Sequence, residues 1–121
     1  EGLTTQQIQE THPGWELFRD GCLGGETPEQ MAKRVDGVID ELRELGGNIL
    51  LFGHGHCFRS AAARFLALSI RYATNLHLDA GTISILSDER DGSALVLWNR
   101  RAQPRAMVVA DIATAIARTV P

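Results

Sequence analysis

The stretch Asn48–Arg59, N-I-L-L-F-G-H-G-H-C-F-R, decides the fold. Its first residues, Asn48–Phe52, form an apolar run of strand length, which predicts a strand buried on both faces of a parallel sheet. From Phe58 the apolar residues recur at helical spacing up to about Leu68, which predicts a helix. The segment between them, G-H-G-H at 53–56, is therefore expected to be a strand-to-helix turn.

Such a turn is expected to bind an anion. It lies at the carboxyl end of a strand, where open α/β sheets bind ligands, and the following helix offers unpaired amides and the positive end of its dipole. Glycines on both sides of His54 allow the backbone to approach a phosphate, and the imidazole projects into the same space. We therefore expect His54 and Gly55 to hold a phosphate, with His56 either in the pocket wall or at the helix start.

Two other interpretations of the histidines remain. His54 is alternatively a satisfied core residue, although a histidine between two glycines packs poorly. His54 and His56 beside Cys57 also suggest a metal pair, but no second group of metal-ligating residues at suitable spacing accompanies them. We therefore expect no metal and no organic cofactor.

The flanking sequence predicts the order of an α/β layer fold. Thr27, Pro28 and Gln30 form a helix start with a capping box, and Gly46-Gly47 ends that helix. Its apolar face comprises Met31, Val35, Val38, Ile39, Leu42 and Leu45, while Arg34 and other charged residues lie on the solvated face. Thr4 or Thr5 caps a shorter helix through about Glu10.

The last third of the chain predicts strands and then a helix. Strand patterns occur at Leu76–Asp79, Thr82–Leu86 and Ala94–Trp98, with a hairpin turn at Asp91-Gly92. A polar connection follows over Asn99–Pro104, and Ala110–Val120 has helical spacing.

Composition and charge limit the classes of protein to which the chain can belong. The 121 residues, 44% hydrophobic and 22% charged, suit one globular domain over residues 1–121. A net charge of −3 gives no reason to expect binding to nucleic acid or to an anionic membrane, and no apolar stretch has the length of a membrane span. Cys22 and Cys57 lack C-x-x-C spacing, so reduced thiols in a cytoplasmic setting are expected.

Four motifs in order carry a resemblance to a known family. The segment L-L-F-G-H-G-H-C-F-R resembles the second-histidine segment of the histidine phosphatase superfamily, the phosphoglycerate-mutase-like enzymes. Glu1–Thr4, E-G-L-T, Gly24–Thr27, G-G-E-T, and the late strand at Asp79–Leu86 resemble further segments of that family. The resemblance implies a three-layer α/β fold with helices on both faces of the sheet, of which the N-terminal part is missing.

The resemblance also implies a function. These enzymes act through a phosphohistidine formed on an Arg-His-Gly motif, which does not occur in this sequence. Both that nucleophile and the usual acidic proton donor would fall before Glu1, so the sequence is expected to be a fragment. In the complete protein it implies phosphomonoester hydrolysis of a small phosphorylated metabolite, with His54 catalytic; the alternatives are phosphoglycerate mutase activity and an inactive phosphate-binding or interaction module.

Residues outside the turn have alternative expected roles. Glu26 orients the phosphate pocket, caps the next helix or serves as an acid catalyst, and Arg19 contacts substrate or is solvated. The family strand that carries the nucleophile lies beside the strand that carries His54, so Asn48–Phe52 would otherwise be an open edge. The expected partners are therefore a phosphorylated small molecule or inorganic phosphate, and either a second copy of the chain or a complementing N-terminal fragment.

Overall fold

The structure, a computed structural model, describes residues 2–101 and places a series of helices before one β-hairpin. In chain order the elements are α1 (Thr5–Thr11), α2 (Leu17–Asp20), α3 (Pro28–Leu45), α4 (Gly55–Phe65), a 3-10 helix (Ile70–Asn75), β1 (Thr82–Glu89) and β2 (Gly92–Arg101). The predicted helix over Ala110–Val120 lies outside the described residues. None of the helices within residues 2–101 combines the length and the apolar character that crossing a membrane requires.

The two predicted helix starts are confirmed. Thr4 and Thr27 precede α1 and α3, and each forms a capping box with the glutamine three residues later. In α3 the hydroxyl of Thr27 accepts from the amide of Gln30, Pro28 occupies the first helical position, and the helix ends at Gly46. These ends form where predicted because each is determined by local hydrogen bonding and backbone preference.

The core lies where α3, α4, α2 and the 3-10 helix meet. Ala62 and Ala63 of α4 have no exposed surface, so their small side chains bring α4 close to its neighbours. Asp36 on α3 and Arg64 on α4 join the two helices through paired hydrogen bonds of 2.8 and 2.9 Å. The other buried apolar side chains are Phe18, Val35, Ile39, Ile70 and Ala73.

The β-hairpin is longer than the sequence predicts. β1 and β2 pair antiparallel from Thr82 opposite Arg101 to Glu89 opposite Gly92, with two register shifts near Ile85. The turn thus falls one residue earlier than expected, and the first residues of the predicted polar connection belong to β2. Asn99 within β2 has φ 57°, a left-handed conformation that accompanies the irregular register.

Arg43 joins the hairpin to the helices. Its guanidinium, on α3, donates to both carboxylate oxygens of Asp88 at 2.9 and 3.0 Å and to the hydroxyl of Ser93 at 3.0 Å. The same group lies 5.1 Å from the centre of the Phe65 ring. The hairpin is thereby tied to α3 and α4 by one side chain.

The predicted strands over Asn48–Phe52 and Leu76–Asp79 are wrong for the described residues. Both segments lack ladder partners, and the sheet within residues 2–101 has the two antiparallel strands alone. A strand requires a neighbour for its amides and carbonyls, and residues 2–101 bring none beside Asn48–Phe52. Leu50 and Phe52 are 76% and 89% exposed, as expected for an open apolar edge, and the three-layer sheet stays a prediction.

The apolar stripe of α3 is also partly uncovered. Val38 is 44% and Leu45 is 75% exposed, whereas Val35 and Ile39 are buried. The described part of the chain thus covers one side of the stripe and leaves its outer edge in contact with water.

Candidate functional site

The turn before α4 presents a histidine and free amides together. His54 immediately precedes α4, with extended backbone angles of φ −100° and ψ 149°. Its side chain is exposed and makes no hydrogen bond to the rest of residues 2–101. The first amides of α4, beginning at Gly55, have no partner within the helix. An anion at this point would meet an imidazole, backbone donors and the positive end of the helix dipole.

The two glycines beside His54 have different surroundings. A Cβ atom at Gly53 would lie 3.0 Å from Cζ of Phe58, so the Phe58 ring already fills the space that the missing side chain leaves. A Cβ atom at Gly55 would lie 3.7 Å from the carbonyl oxygen of Leu78, which is ordinary contact. Gly53 therefore serves packing, whereas the exposed backbone at Gly55 stays open to a ligand.

His56 turns toward the core side of α4. Its ring meets the ring of Phe18 edge-on, with 5.9 Å between centroids and an interplanar angle of 69°. Partial desolvation lowers the pKa of His56, and the positive charge of Arg59 lowers it further. The neutral imidazole is thus favoured, so His56 offers a hydrogen-bonding group rather than a fixed positive charge.

A small cavity brings His56 and Glu26 together. It has a volume of about 120 Å³, which is below the range of roughly 300–1,000 Å³ usual for small-molecule sites. The predicted pocket residues His56 and Glu26 both line it, but His54 does not. Its other polar and sulfur-bearing lining residues are Cys22, Thr27, Met31 and Ser60.

Glu26 is held by an arginine. Arg34 donates from Nε and Nη2 to the two carboxylate oxygens of Glu26 at 2.8 and 2.9 Å. These hydrogen bonds lower the pKa of Glu26 and raise the pKa of Arg34, and Cys57 contributes further to the shift on Arg34. A carboxylate held ionised in this way is an acceptor and a poor proton donor at neutral pH. The geometry favours the orienting role of Glu26 over acid catalysis.

Arg19 lies apart from this cavity. It donates to both carboxylate oxygens of Asp20, at 2.9 and 2.7 Å, and to the carbonyl oxygen of Gly14. It lines a different cleft, which shares Phe18 with the small cavity. The predicted substrate contact at Arg19 therefore belongs to another surface than the one that carries His56 and Glu26.

A family model matches most of the chain. The family model of the histidine phosphatase superfamily, branch 1, matches residues 1–101. The chain belongs to the histidine phosphatase superfamily. The resemblance predicted from the four motifs is thereby confirmed, and the His54 turn lies within the matched residues.

Curated relatives of this histidine phosphatase chain carry phosphatase names. It is 29% identical over 107 residues to an acid phosphatase of Mycobacterium tuberculosis, covering 87% of the chain and 53% of that protein. It is 30% identical over 88 residues to sedoheptulose 1,7-bisphosphatase of Saccharomyces cerevisiae, covering 59% of the chain and 32% of that protein. The chain thus spans about half or less of the length of these relatives.

A solved structure agrees with the fold of this family member. It is the structure of an open reading frame product of Mycobacterium tuberculosis, with a TM-score of 0.79 and 28% identity, over 84% of this chain and 53% of the other. The chain therefore shares its α/β fold with this solved structure, while the three-layer arrangement stays a prediction.

Sequence reasoning missed the two arginines that build the site. Arg34 was expected on the solvated face of its helix, yet it fixes Glu26 across the end of the preceding loop. Arg59 donates to the carbonyls of Ala73 and Thr74 and lies over Phe18. The available signal was weak: Arg59 follows the His54 turn by little more than one helical turn, so it faces the same end of α4.

Within residues 2–101, no group of three or more His, Cys, Asp or Glu side chains is arranged to hold a metal ion. His77 and Asp79, which are 2.9 Å apart, instead form a pair that Arg101 joins at 3.2 Å.

Proposed function

We propose that this chain is the His54-bearing part of a phosphomonoesterase that hydrolyses a small phosphorylated metabolite through a phosphohistidine. The observation that carries the proposal is the position of His54: an exposed imidazole before the unpaired amides of α4, in a chain of the histidine phosphatase superfamily. The phosphatase names of the relatives support the reaction class. The free thiols of Cys22 and Cys57 support a reducing, cytoplasmic setting.

In the proposed reaction a histidine outside these 121 residues attacks phosphorus in line with the ester oxygen. A nitrogen–phosphorus bond forms, the phosphorus–oxygen ester bond breaks, and the leaving alcohol takes a proton from an acid that is also outside this sequence. Water then attacks phosphorus and gives a proton to the acid, which lost its own in the first step. The nitrogen–phosphorus bond breaks, and the free histidine and inorganic phosphate are released. His54 and the amide of Gly55 stabilise the charge on the equatorial oxygens during both displacements.

The cavity residues support positioning rather than proton transfer. Because Arg34 keeps Glu26 ionised, Glu26 is suited to orient donors around the phosphate. His56, whose pKa is lowered, offers a neutral imidazole at the cavity wall. In this proposal Glu26 and His56 maintain the cavity beside α4, and His54, which does not line that cavity, carries the electrostatic effect on the phosphate.

The test is His54→Ala in a protein that joins this chain to the segment with the nucleophile. Loss of one such donor is expected to lower kcat for p-nitrophenyl phosphate by about 10²–10³. The matched control is His77→Ala, an exposed histidine whose partner is Asp79 and which lies outside the cavity. Unchanged turnover of the His54 variant would remove His54 from the mechanism, and analysis of the product separates release of phosphate from a phosphoryl shift.

A second candidate function is an inactive phosphate-binding or interaction module. The exposed apolar run favours it, because Leu50 and Phe52 present large side chains and unpaired backbone beside the His54 turn. We propose that a strand from outside these 121 residues, or from a second copy of the chain, pairs with Asn48–Phe52. Light scattering tests this: a monodisperse monomer of 13.2 kDa that does not associate with the N-terminal segment would contradict it.

A further inference from the structure

A second cleft lies between α2 and the 3-10 helix, away from Glu26 and His56. Its volume is about 450 Å³, within the range of roughly 300–1,000 Å³ that is usual for small-molecule sites. The two cavities share Phe18, which is buried with 9% of its surface exposed. The polar and aromatic residues that line the cleft around Phe18 include Glu16, Arg19, Ser69, Arg71, Tyr72 and Asn75.

The walls of this cleft are fixed by hydrogen bonds. Arg59 holds the 3-10 helix by donating to the carbonyls of Ala73 and Thr74, at 2.9 and 3.0 Å. The guanidinium of Arg59 also lies 4.6 Å from the centre of the Phe18 ring, which belongs to α2. One side chain therefore sets the distance between the two walls, so the cleft is built before any ligand enters.

The opposite wall is organised by Asp20. Its carboxylate accepts from the backbone amide of Glu16 at 2.8 Å and from the guanidinium of Arg19 at 2.9 and 2.7 Å. The charge of Arg19 is thus largely matched by Asp20. The side chain of Glu16 lines the cleft as a carboxylate, and its Oε1 lies 3.9 Å from Nη1 of Arg19, so it can accept hydrogen bonds from a ligand with its other oxygen.

Arg71 is the uncommitted cation of the cleft. It makes no hydrogen bond or salt bridge to the described part of the chain, and its charge acts only at longer range on Asp20. Tyr72 beside it is 54% exposed, so an aromatic face and a phenolic hydroxyl are both available. The hydroxyl of Ser69 and the amide of Asn75 add donors and acceptors in the same cleft.

We propose that this cleft binds a small polyhydroxylated molecule that carries one anionic group, a phosphate or a carboxylate. Arg71 receives the anionic group, because a guanidinium matches both oxyanions. The hydroxyls of the ligand exchange hydrogen bonds with Ser69, Asn75 and Glu16, while Tyr72 packs against its carbon skeleton. This binding is independent of catalysis at His54.

The experiment titrates the 121-residue chain with four probes, followed by amide NMR and calorimetry. Glucose 6-phosphate and gluconate carry the hydroxyls with either anion, whereas glucose lacks the anion and inorganic phosphate lacks the hydroxyls. At least one of the first two is expected to shift the amides of residues 69–75 and to bind more tightly than glucose or phosphate. Which of the two binds identifies the anionic group.

Two variants locate the binding. Arg71→Ala removes one charge-assisted contact and is expected to weaken binding about tenfold, because such a contact contributes about 1.5 kcal/mol. Arg90→Ala, an exposed arginine at the hairpin turn, is the matched control and is expected to bind as the unchanged chain does. Binding at this cleft should also survive His54→Ala, which separates it from the proposed phosphatase site.

Several results would overturn the proposal. They are the absence of amide shifts at residues 69–75 with both hydroxylated anions, equal binding of inorganic phosphate and glucose 6-phosphate, and undiminished binding by the Arg71 variant. Shifts confined to the start of α4 and lost in His54→Ala would assign the ligand to the phosphate site instead.

Discussion

Replacing Arg59 by methionine should loosen the whole side of the molecule on which the candidate site lies. Methionine keeps most of the aliphatic length of arginine but removes the donors to Ala73 and Thr74 and the charge over Phe18. The effect reaches three elements, because α4 carries Arg59, α2 carries Phe18 and the carbonyls belong to the 3-10 helix.

The expected loss can be worked out from these contacts. Two hydrogen bonds from a charged donor contribute about 1–1.5 kcal/mol each when water can reach the acceptors afterwards. The cation–π contact with Phe18 adds roughly 0.5–1 kcal/mol. The free energy of unfolding should therefore fall by about 3 kcal/mol, and with an m-value of about 1.5 kcal/mol/M the urea midpoint should fall by roughly 2 M.

Urea denaturation followed by circular dichroism measures this change. Arg19→Met is the matched control, since Arg19 forms a salt bridge with 44% of its own side chain exposed, and such pairs contribute about 0–1 kcal/mol. Arg59→Lys retains the charge without the forked donors and should fall between the two. Equal midpoints for the Arg59 and Arg19 methionine variants would refute the role assigned to Arg59.

Three further predictions concern the same region. Gly53→Ala should lower the free energy of unfolding by about 1 kcal/mol, because its Cβ atom would lie 3.0 Å from the Phe58 ring. Gly55→Ala, whose Cβ atom would lie 3.7 Å from its nearest neighbour, should leave stability unchanged. Thermal melts of the two variants measure this difference, and equal melting temperatures would contradict it. The hydrogen bonds from Arg34 lower the pKa of Glu26, so the stability that Glu26 contributes is present above about pH 4.5 and lost as pH falls through its folded-state pKa. In a plot of urea midpoint against pH, Glu26→Gln should therefore reduce the fall of the midpoint at acid pH. An unaltered fall would contradict this prediction. Partial desolvation lowers the pKa of His56, so the unfolded chain takes up a proton first as pH falls below about 6.5. His56→Gln should therefore reduce the loss of stability just below that pH, and an unchanged slope of stability against pH would count against this desolvation.

The elements that the sequence predicts correctly are those whose ends are set by nearby capping or turn residues. The helix from Pro28 begins at a capping box and ends at a glycine, and both signals lie within a few residues of the boundary that they set. The hairpin over Thr82–Arg101 likewise depends on alternation and one turn. By contrast, Asn48–Phe52 has the composition of a strand, but a strand needs a neighbour, and that neighbour is not a local property of the segment.

The candidate site could be predicted only in part for a related physical reason. The helix after His54 is indicated by a contiguous change of hydrophobic period, although it begins at Gly55 rather than near Phe58 and no strand precedes it within the described residues. The partner of Glu26 is Arg34, on the charged side of its helix, where single charges usually remain solvated. Nothing in the spacing separated Arg34 from its charged neighbours, since the pairing depends on how the loop before α3 folds back.

The proposed reaction needs positive charge that Arg19, Arg34 and Arg59 do not supply. Arg19 and Arg34 each form a two-point salt bridge, with Asp20 and Glu26, and Arg59 donates to carbonyls of the 3-10 helix. A transferred phosphoryl group places negative charge on three equatorial oxygens, which cations normally neutralise. The His54 turn supplies an imidazole and helix amides, while these three guanidinium groups are already engaged in holding the structure. We therefore expect the proposed nucleophile segment to bring positive charge as well as a histidine, and we expect phosphate to bind more tightly to the combined protein than to this chain by itself.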